Sequence, residues 1–296
     1  MAELIQRDGT WAFDGATVRI TPGLHRSVPL FRQTYGEIAV PLEAVASIAF
    51  EPERRRGRLR MRLREGADPL LQATGGRLPG MADPYRLTVD IDGFGVAEYV
   101  VEEIHRTLLL DQIPKEPATA YLLPGPPVPV SVRSSDGTVS FDGTQVRIDW
   151  SDTSDRVKRA TGPRIIDVGD LVQVEWLPNS GYEDGLLRFT TRETVFAELP
   201  PEKDPYALDL WGSARRDLLT ALVATAVTAR LPHPSSRPGT DSDSAERARP
   251  TPSVPHRADR HDVLLRRLRE LGELYRDGVL TDEEFAMTKA VVLSGF

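Results

Sequence analysis

Residues 8–20 read Asp-Gly-Thr-Trp-Ala-Phe-Asp-Gly-Ala-Thr-Val-Arg-Ile, and residues 136–148 read Asp-Gly-Thr-Val-Ser-Phe-Asp-Gly-Thr-Gln-Val-Arg-Ile. Nine of the thirteen positions are identical. The likeness continues downstream. Val40, Leu42, Val45, Ile48, Phe50 and Pro52 correspond at constant offset to Ile166, Val168, Leu171, Val174, Trp176 and Pro178. Gly-Arg-Leu-Arg-Met at 57–61 matches Gly-Leu-Leu-Arg-Phe at 185–189, and Asp83-Pro84-Tyr85 matches Asp204-Pro205-Tyr206. The spacing drifts where glycine, proline and charged residues mark turns, the places that tolerate insertion. The chain therefore has to fold as one small unit present twice.

Each copy begins with the same local signals. Trp11 and Phe13 alternate with polar neighbours, and Asp14-Gly15 then leads into Val18 and Ile20. This predicts a hairpin with a type I′ turn, because Asp-Gly supplies the positive φ such a turn needs. Alternating runs follow at 38–51, 58–64 and 85–91. Helical spacing of Val96, Val100, Ile104 and Leu108 predicts a helix near 94–110. In the second copy Leu218, Leu219, Leu222, Val223 and Ala226 predict an amphipathic helix near 214–229, with Ser213 as N-cap. Antiparallel strands followed by one covering helix make a mainly β fold with α, a bent sheet or partial barrel plugged at one end.

A length of 296 residues suits two such modules and a tail. The expected boundaries are 1–112 and 131–231 for the modules, with a linker at 113–130. Six prolines between 111 and 131 favour a semi-rigid, extended spacer. Residues 232–258, rich in Pro, Ser, Asp, Thr and Arg, have the composition of a disordered tether. Ordered signals return at 259–296, where Val263, Leu264, Leu268, Leu271, Leu274 and Tyr275 form an apolar stripe. Gly278 stands at a helix C′ position. Thr281 and Glu284 form a capping box flanked by Leu280 and Phe285, and a second short helix carries Val292. This predicts a two-helix hairpin too small to stand alone, so its stripe must dock on something.

Both repeats in hand, the Asp-Gly-Thr-x-x-Phe-Asp-Gly module, with Trp176-Leu177-Pro178 and Asp204-Pro205-Tyr206, resembles family 4429 of the domains of unknown function. That family is grouped with pleckstrin-homology-like folds. The tail, Leu268-Arg-Glu-Leu-Gly-Glu-Leu-Tyr-Arg-Asp-Gly-Val-Leu-Thr-Asp-Glu-Glu-Phe285, is similar to the short C-terminal (SHOCT) domain. The resemblances imply two tandem pleckstrin-homology-like modules and a C-terminal hairpin that mediates oligomerisation. They imply no catalytic role and carry over no functional residue.

Charge and composition narrow the functional classes. The absence of cysteine removes disulfides, thiolate metal sites and cysteine nucleophiles. A net charge of −7 argues against general nucleic-acid binding, which needs a positive field. The longest mainly apolar stretch, 218–231, falls short of the roughly 20 residues that cross a bilayer, and residues 1–10 lack a secretion pattern. A soluble cytoplasmic protein is the expectation. His25, His105, His233, His256 and His261 have no ligand-like spacing, and Asp14 and Asp142 read as turn residues. No catalytic residue, metal site or cofactor is expected.

One charge pattern stands out. If 58–64 is a strand, Arg58, Arg60, Arg62 and Arg64 share a face while Leu59, Met61 and Leu63 face the core. Such a row could grip anionic lipid or an acidic partner, or it could be a solvated face balanced by Glu51, Glu53 and Glu65. The second copy has Leu186, Arg188, Thr190 and Arg192 there, so the row is not a property of the repeat. The overall expectation is a non-enzymatic adaptor. Leu264, Leu268, Leu271, Leu274, Tyr275, Phe285 and Val292 serve self-association or docking, Gly278, Thr281 and Glu284 cap the hairpin, and the partner protein is unidentified. Anionic lipid bound through the arginine strand is the alternative.

Overall fold

Alternation of apolar and polar residues places β1 (Ala2–Gln6), β2 (Gly9–Phe13), β3 (Thr17–Pro22) and β4 (Ile38–Pro41) in one antiparallel sheet, in that order. β5 (Val45–Pro52), β6 (Arg56–Leu63) and β7 (Arg86–Asp90) form a second. The second copy repeats the plan with β8 (Val130–Arg133), β9 (Gly137–Phe141), β10 (Gln145–Trp150) and β11 (Arg164–Asp167). Its three-stranded sheet is β12 (Leu171–Leu177), β13 (Gly185–Thr191) and β14 (Ala207–Leu210). These elements come from a computed structural model that describes residues 2–180, 183–194 and 199–236. The C-terminal hairpin and its named residues lie outside the described residues.

The duplication reaches the irregularities. In both copies the chain passes from the first sheet to the second through one turn of 3-10 helix, 42–44 and 168–170. Immediately afterwards the register slips by one residue, between Val45 and Ser47 and again between Leu171 and Gln173. A bulge bends the strand and sharpens its twist, which carries it over to the other sheet. Between the third and fourth strands each copy has a short helix, α1 (Leu30–Tyr35) and α4 (Arg156–Ala160). Copy one adds α2 (Pro69–Thr74) and then α3 (Phe94–Leu110), which lies against β1, β5 and β7.

Four expectations need correction. The hairpin forms, with Trp11 opposite Ile20 and Phe13 opposite Val18, but its turn is not type I′. Only Gly15 has positive φ, at 105°; Asp14 instead accepts from the Ala16 and Thr17 amides at 2.9 and 2.8 Å. A short polar side chain has replaced the second positive-φ residue. Secondly, the predicted 214–229 helix is two pieces, α5 (Ala214–Asp217) and α6 (Thr220–Thr228), and Ser213 makes no side-chain cap. All nine residues of α6 are buried, because α2 covers it on one side and β8, β9, β12 and β13 pack against it on others. A helix apolar all round has no solvent face.

Thirdly, the proline-rich segment is not a stand-off spacer. Ala118 donates to the Glu65 carbonyl at 2.7 Å, Leu122 donates to that of Ala67 at 2.8 Å, and Ala118 and Leu123 are buried. Finally, residues 232–236 do not begin a disordered tether. Pro234–Ser236 form a 3-10 turn, His233 Nε2 lies 3.0 Å from the Gly66 carbonyl, and its ring packs edge-on against Tyr121. Ser235 Oγ donates to the Thr119 carbonyl at 2.9 Å. The two copies, the proline-rich segment 113–130 that straps copy one and the latch at 233–236 all fall in one compact unit, Met1–Arg237, around one continuous apolar core.

Candidate functional site

β6 sets the arginine face. Gly57, Leu59, Met61 and Leu63 are buried while the residues between them are exposed or half-buried. The four arginines of the predicted row nonetheless have different surroundings. Arg64 follows the strand and donates to the carbonyls of Glu116 and Glu43, both at 2.9 Å, so it staples the strap. Arg62 is exposed at the same end of the sheet. Arg58 and Arg60 enter a cavity of about 350 Å³, where Arg32 from α1 and Arg86 from β7 join them. Arg32 and Arg86 were not candidates from sequence.

The cavity collects four guanidinium groups and one acidic residue, Asp8. Arg58 pairs with Glu53 at 2.5 Å and Arg86 with Asp83 at 2.8 Å. Arg60 lies directly across from Arg86 in the β6–β7 register, with the Ala49 methyl on its other side. Arg32 is only 4% exposed, and one of its terminal nitrogens donates to the Asp8 carbonyl at 3.2 Å. Among the described residues the Nε atoms of Arg32 and Arg60, and of Arg164 in copy two, are buried without a hydrogen-bond partner. Burial pulls the Arg32 pKa below the ordinary guanidinium value, against the pull of Asp8 and Asp83.

The same position in copy two is chemically closed. Lys158, on α4 where Arg32 stands on α1, is fully buried and 2.5 Å from Asp136, the counterpart of Asp8. It also donates to the Ala207 carbonyl at 2.9 Å and lies over the Trp150 ring. Arg188, the counterpart of Arg60, has Ala207 across from it rather than an arginine, and Glu175 rather than alanine on its other side. It pairs with Asp204 at 2.9 Å and Glu175 at 3.6 Å. The two cations at the counterpart positions, Lys158 and Arg188, therefore each have a carboxylate, whereas Arg164 elsewhere in copy two meets only the Tyr206 hydroxyl and ring among the described residues.

The Asp-Pro-Tyr motif explains the difference. Asp83 and Asp204 each accept from the amide of their tyrosine, at 2.9 and 2.8 Å, leaving one oxygen for a guanidinium. In copy two that oxygen takes Arg188; in copy one it takes Arg86, and Arg60 is left over. The sequence signal was the single change from Ala207 to Arg86 just after a shared motif. Arg32 had a fainter one, the common offset that pairs it with Lys158 in an otherwise unremarked segment.

Two sequence profiles match the chain. The family described as "Domain of unknown function (DUF4429)" matches twice, over residues 11–105 and 139–228. That described as "Short C-terminal domain" matches 266–293. Comparison with curated proteins gives no match.

Proposed function

We propose, for a chain that belongs to the family described as domain of unknown function DUF4429 and carries that domain twice, that it is a non-enzymatic binding protein assembled through its tail. Each copy has seven antiparallel strands in two sheets followed by a closing helical segment, which supports a pleckstrin-homology-like reading of the module. The observation that carries the reading is α6, buried between elements of both copies, which makes the pair a single rigid body rather than two tethered modules. A rigid body presents its surfaces in fixed relation, and the short C-terminal domain at 266–293 would multiply them. Linking weak sites raises avidity without new contacts. The cytoplasm is the proposed location; among the described residues no helix is long and apolar enough to cross a membrane.

Light scattering on the full chain and on residues 1–258 tests the assembly. We expect the full chain to be a multimer and the shortened one a monomer. Equal masses per chain would remove the self-association arm. A second reading, attachment to an anionic lipid surface, is favoured by the exposed arginines of β6. It predicts vesicle binding that weakens steeply with salt.

A further inference from the structure

We propose that copy one contains a binding site for a phosphate monoester group, gripped by Arg32, Arg60 and Arg86 with Arg58 at its edge. The inference is independent of assembly through the tail. It rests on three features of the cavity that are each unfavourable without a ligand. Arg60 and Arg86 are like charges directly opposite on neighbouring strands, an arrangement that destabilises a sheet. Arg32 is a buried cation without an ion pair among the described residues, and buried charges are ordinarily paired. The Arg32 and Arg60 Nε groups are buried without acceptors among the described residues.

One compact dianion relieves the first two. Its oxygens would sit between Arg60 and Arg86, turning their repulsion into a shared attraction, and would give the Arg32 guanidinium the close ion pair that Asp8 and Asp83, which attract it from farther away, do not form with it among the described residues. Guanidinium forks match tetrahedral oxyanions through paired, charge-assisted hydrogen bonds. The hydroxyl-bearing Ser27 and Thr88 also line the cavity and could complete the oxygen contacts. A cavity of about 350 Å³ leaves room for part of the molecule that carries the phosphoryl group. Copy two is the internal control: Asp136 occupies Lys158, Asp204 and Glu175 occupy Arg188, and Ala207 removes the opposing arginine. The repeat thus has a form whose counterpart cations are both paired and a form in which Arg32 and Arg60 stand outside any ion pair among the described residues.

The test uses the full chain and glycerol 3-phosphate as a soluble monoester, read by calorimetry and by the shift in thermal midpoint. Sodium chloride at matched ionic strength is the reference. Binding should stabilise the folded chain by mass action. Arg60→Gln should weaken binding by about tenfold or more, the worth of a charged hydrogen bond. Arg62→Gln, on the same strand but outside the cavity, should leave it unchanged. Arg86→Gln provides a second reading should Arg60→Gln fold poorly.

Vesicles containing phosphatidic acid, whose headgroup is a phosphate monoester, then distinguish a membrane source from a soluble one. Binding to them above vesicles of equal phosphatidylserine charge supports a lipid source; binding to the soluble monoester alone supports a free one. No stabilisation beyond chloride, or equal losses in Arg60→Gln and Arg62→Gln, would overturn the proposal. So would equal affinity for both vesicles without binding of the soluble monoester.

Discussion

At the scale of single residues, the thirteen-residue repeat is a set of separate physical requirements. Gly9 and Gly137 stand where a Cβ would lie 2.5 and 2.4 Å from the carbonyl oxygen across the hairpin, so any side chain forces the strands apart. Gly15 and Gly143 hold φ at 105° and 113°, beside aspartates that accept from the amides two and three residues on. Those turn contacts hold the Asp14 and Asp142 carboxyls below the usual range. Asp8 and Asp136 change role, one offering its carbonyl to Arg32 and the other its carboxylate to Lys158. Breaking a buried ion pair by removing one partner strands the other, at about 3–5 kcal/mol, whereas replacing both is far milder. Lys158→Met should therefore cost that much in urea unfolding, and the Lys158→Met/Asp136→Asn double variant should recover most of it. A double variant as unstable as the single one would contradict this account of the closed site.

At the scale of elements, legibility followed exposure. α3 was readable because Val100 and Ile104 are buried while Glu98, Glu102 and His105 are exposed, which leaves the helical period visible. α6 was readable as a helix but not as a buried one, since Ala, Thr, Leu and Val fill every side and no polar face is left to mark what is packed. β1 and β8 escaped notice as short edge strands, the latter hard against the prolines. α2, which covers α6, depends on Asp68: the carboxylate caps it by accepting from Leu70 and Leu71 and accepts the Tyr85 hydroxyl at 2.8 Å. Burial pushes Asp68 up to about 6, more than those bonds pull it down. Its unfolded value is about 3.9.

The folded chain thus holds a proton that the unfolded chain has lost between those values. This contribution is complete below about pH 4 and disappears as pH rises through about 6, on the order of 2–3 kcal/mol. Asp68→Asn keeps an acceptor for the cap and removes the buried charge. We expect it to flatten this slope and to be more stable than the native chain at pH 8. Urea midpoints at pH 4, 6 and 8 check both; an unchanged slope would assign the pH dependence elsewhere.

At the scale of the whole molecule, the repeat was plain in the sequence but its consequence was not. Two modules joined by prolines read as beads on a spacer. Contacts between residues far apart in the chain, α2 on α6 and His233 on Gly66, carry no local signal, and they convert the beads into one body. A shared core should unfold as a unit. Native-state hydrogen exchange should therefore give the slowest amides of β2 and β9 the same opening free energy, within about 0.5 kcal/mol, the scatter expected of independent measurements. Two clearly separated values would mean that the copies open independently.

The latch at 233–236 also decides where mechanical load enters. A pull on whatever follows Ser236 reaches first the Gly66 and Thr119 carbonyls, in copy one and its strap, although the chain has just left copy two. Tension applied through the C-terminal segment would be borne by the N-terminal half, beside the Arg64 staple at the end of the arginine strand.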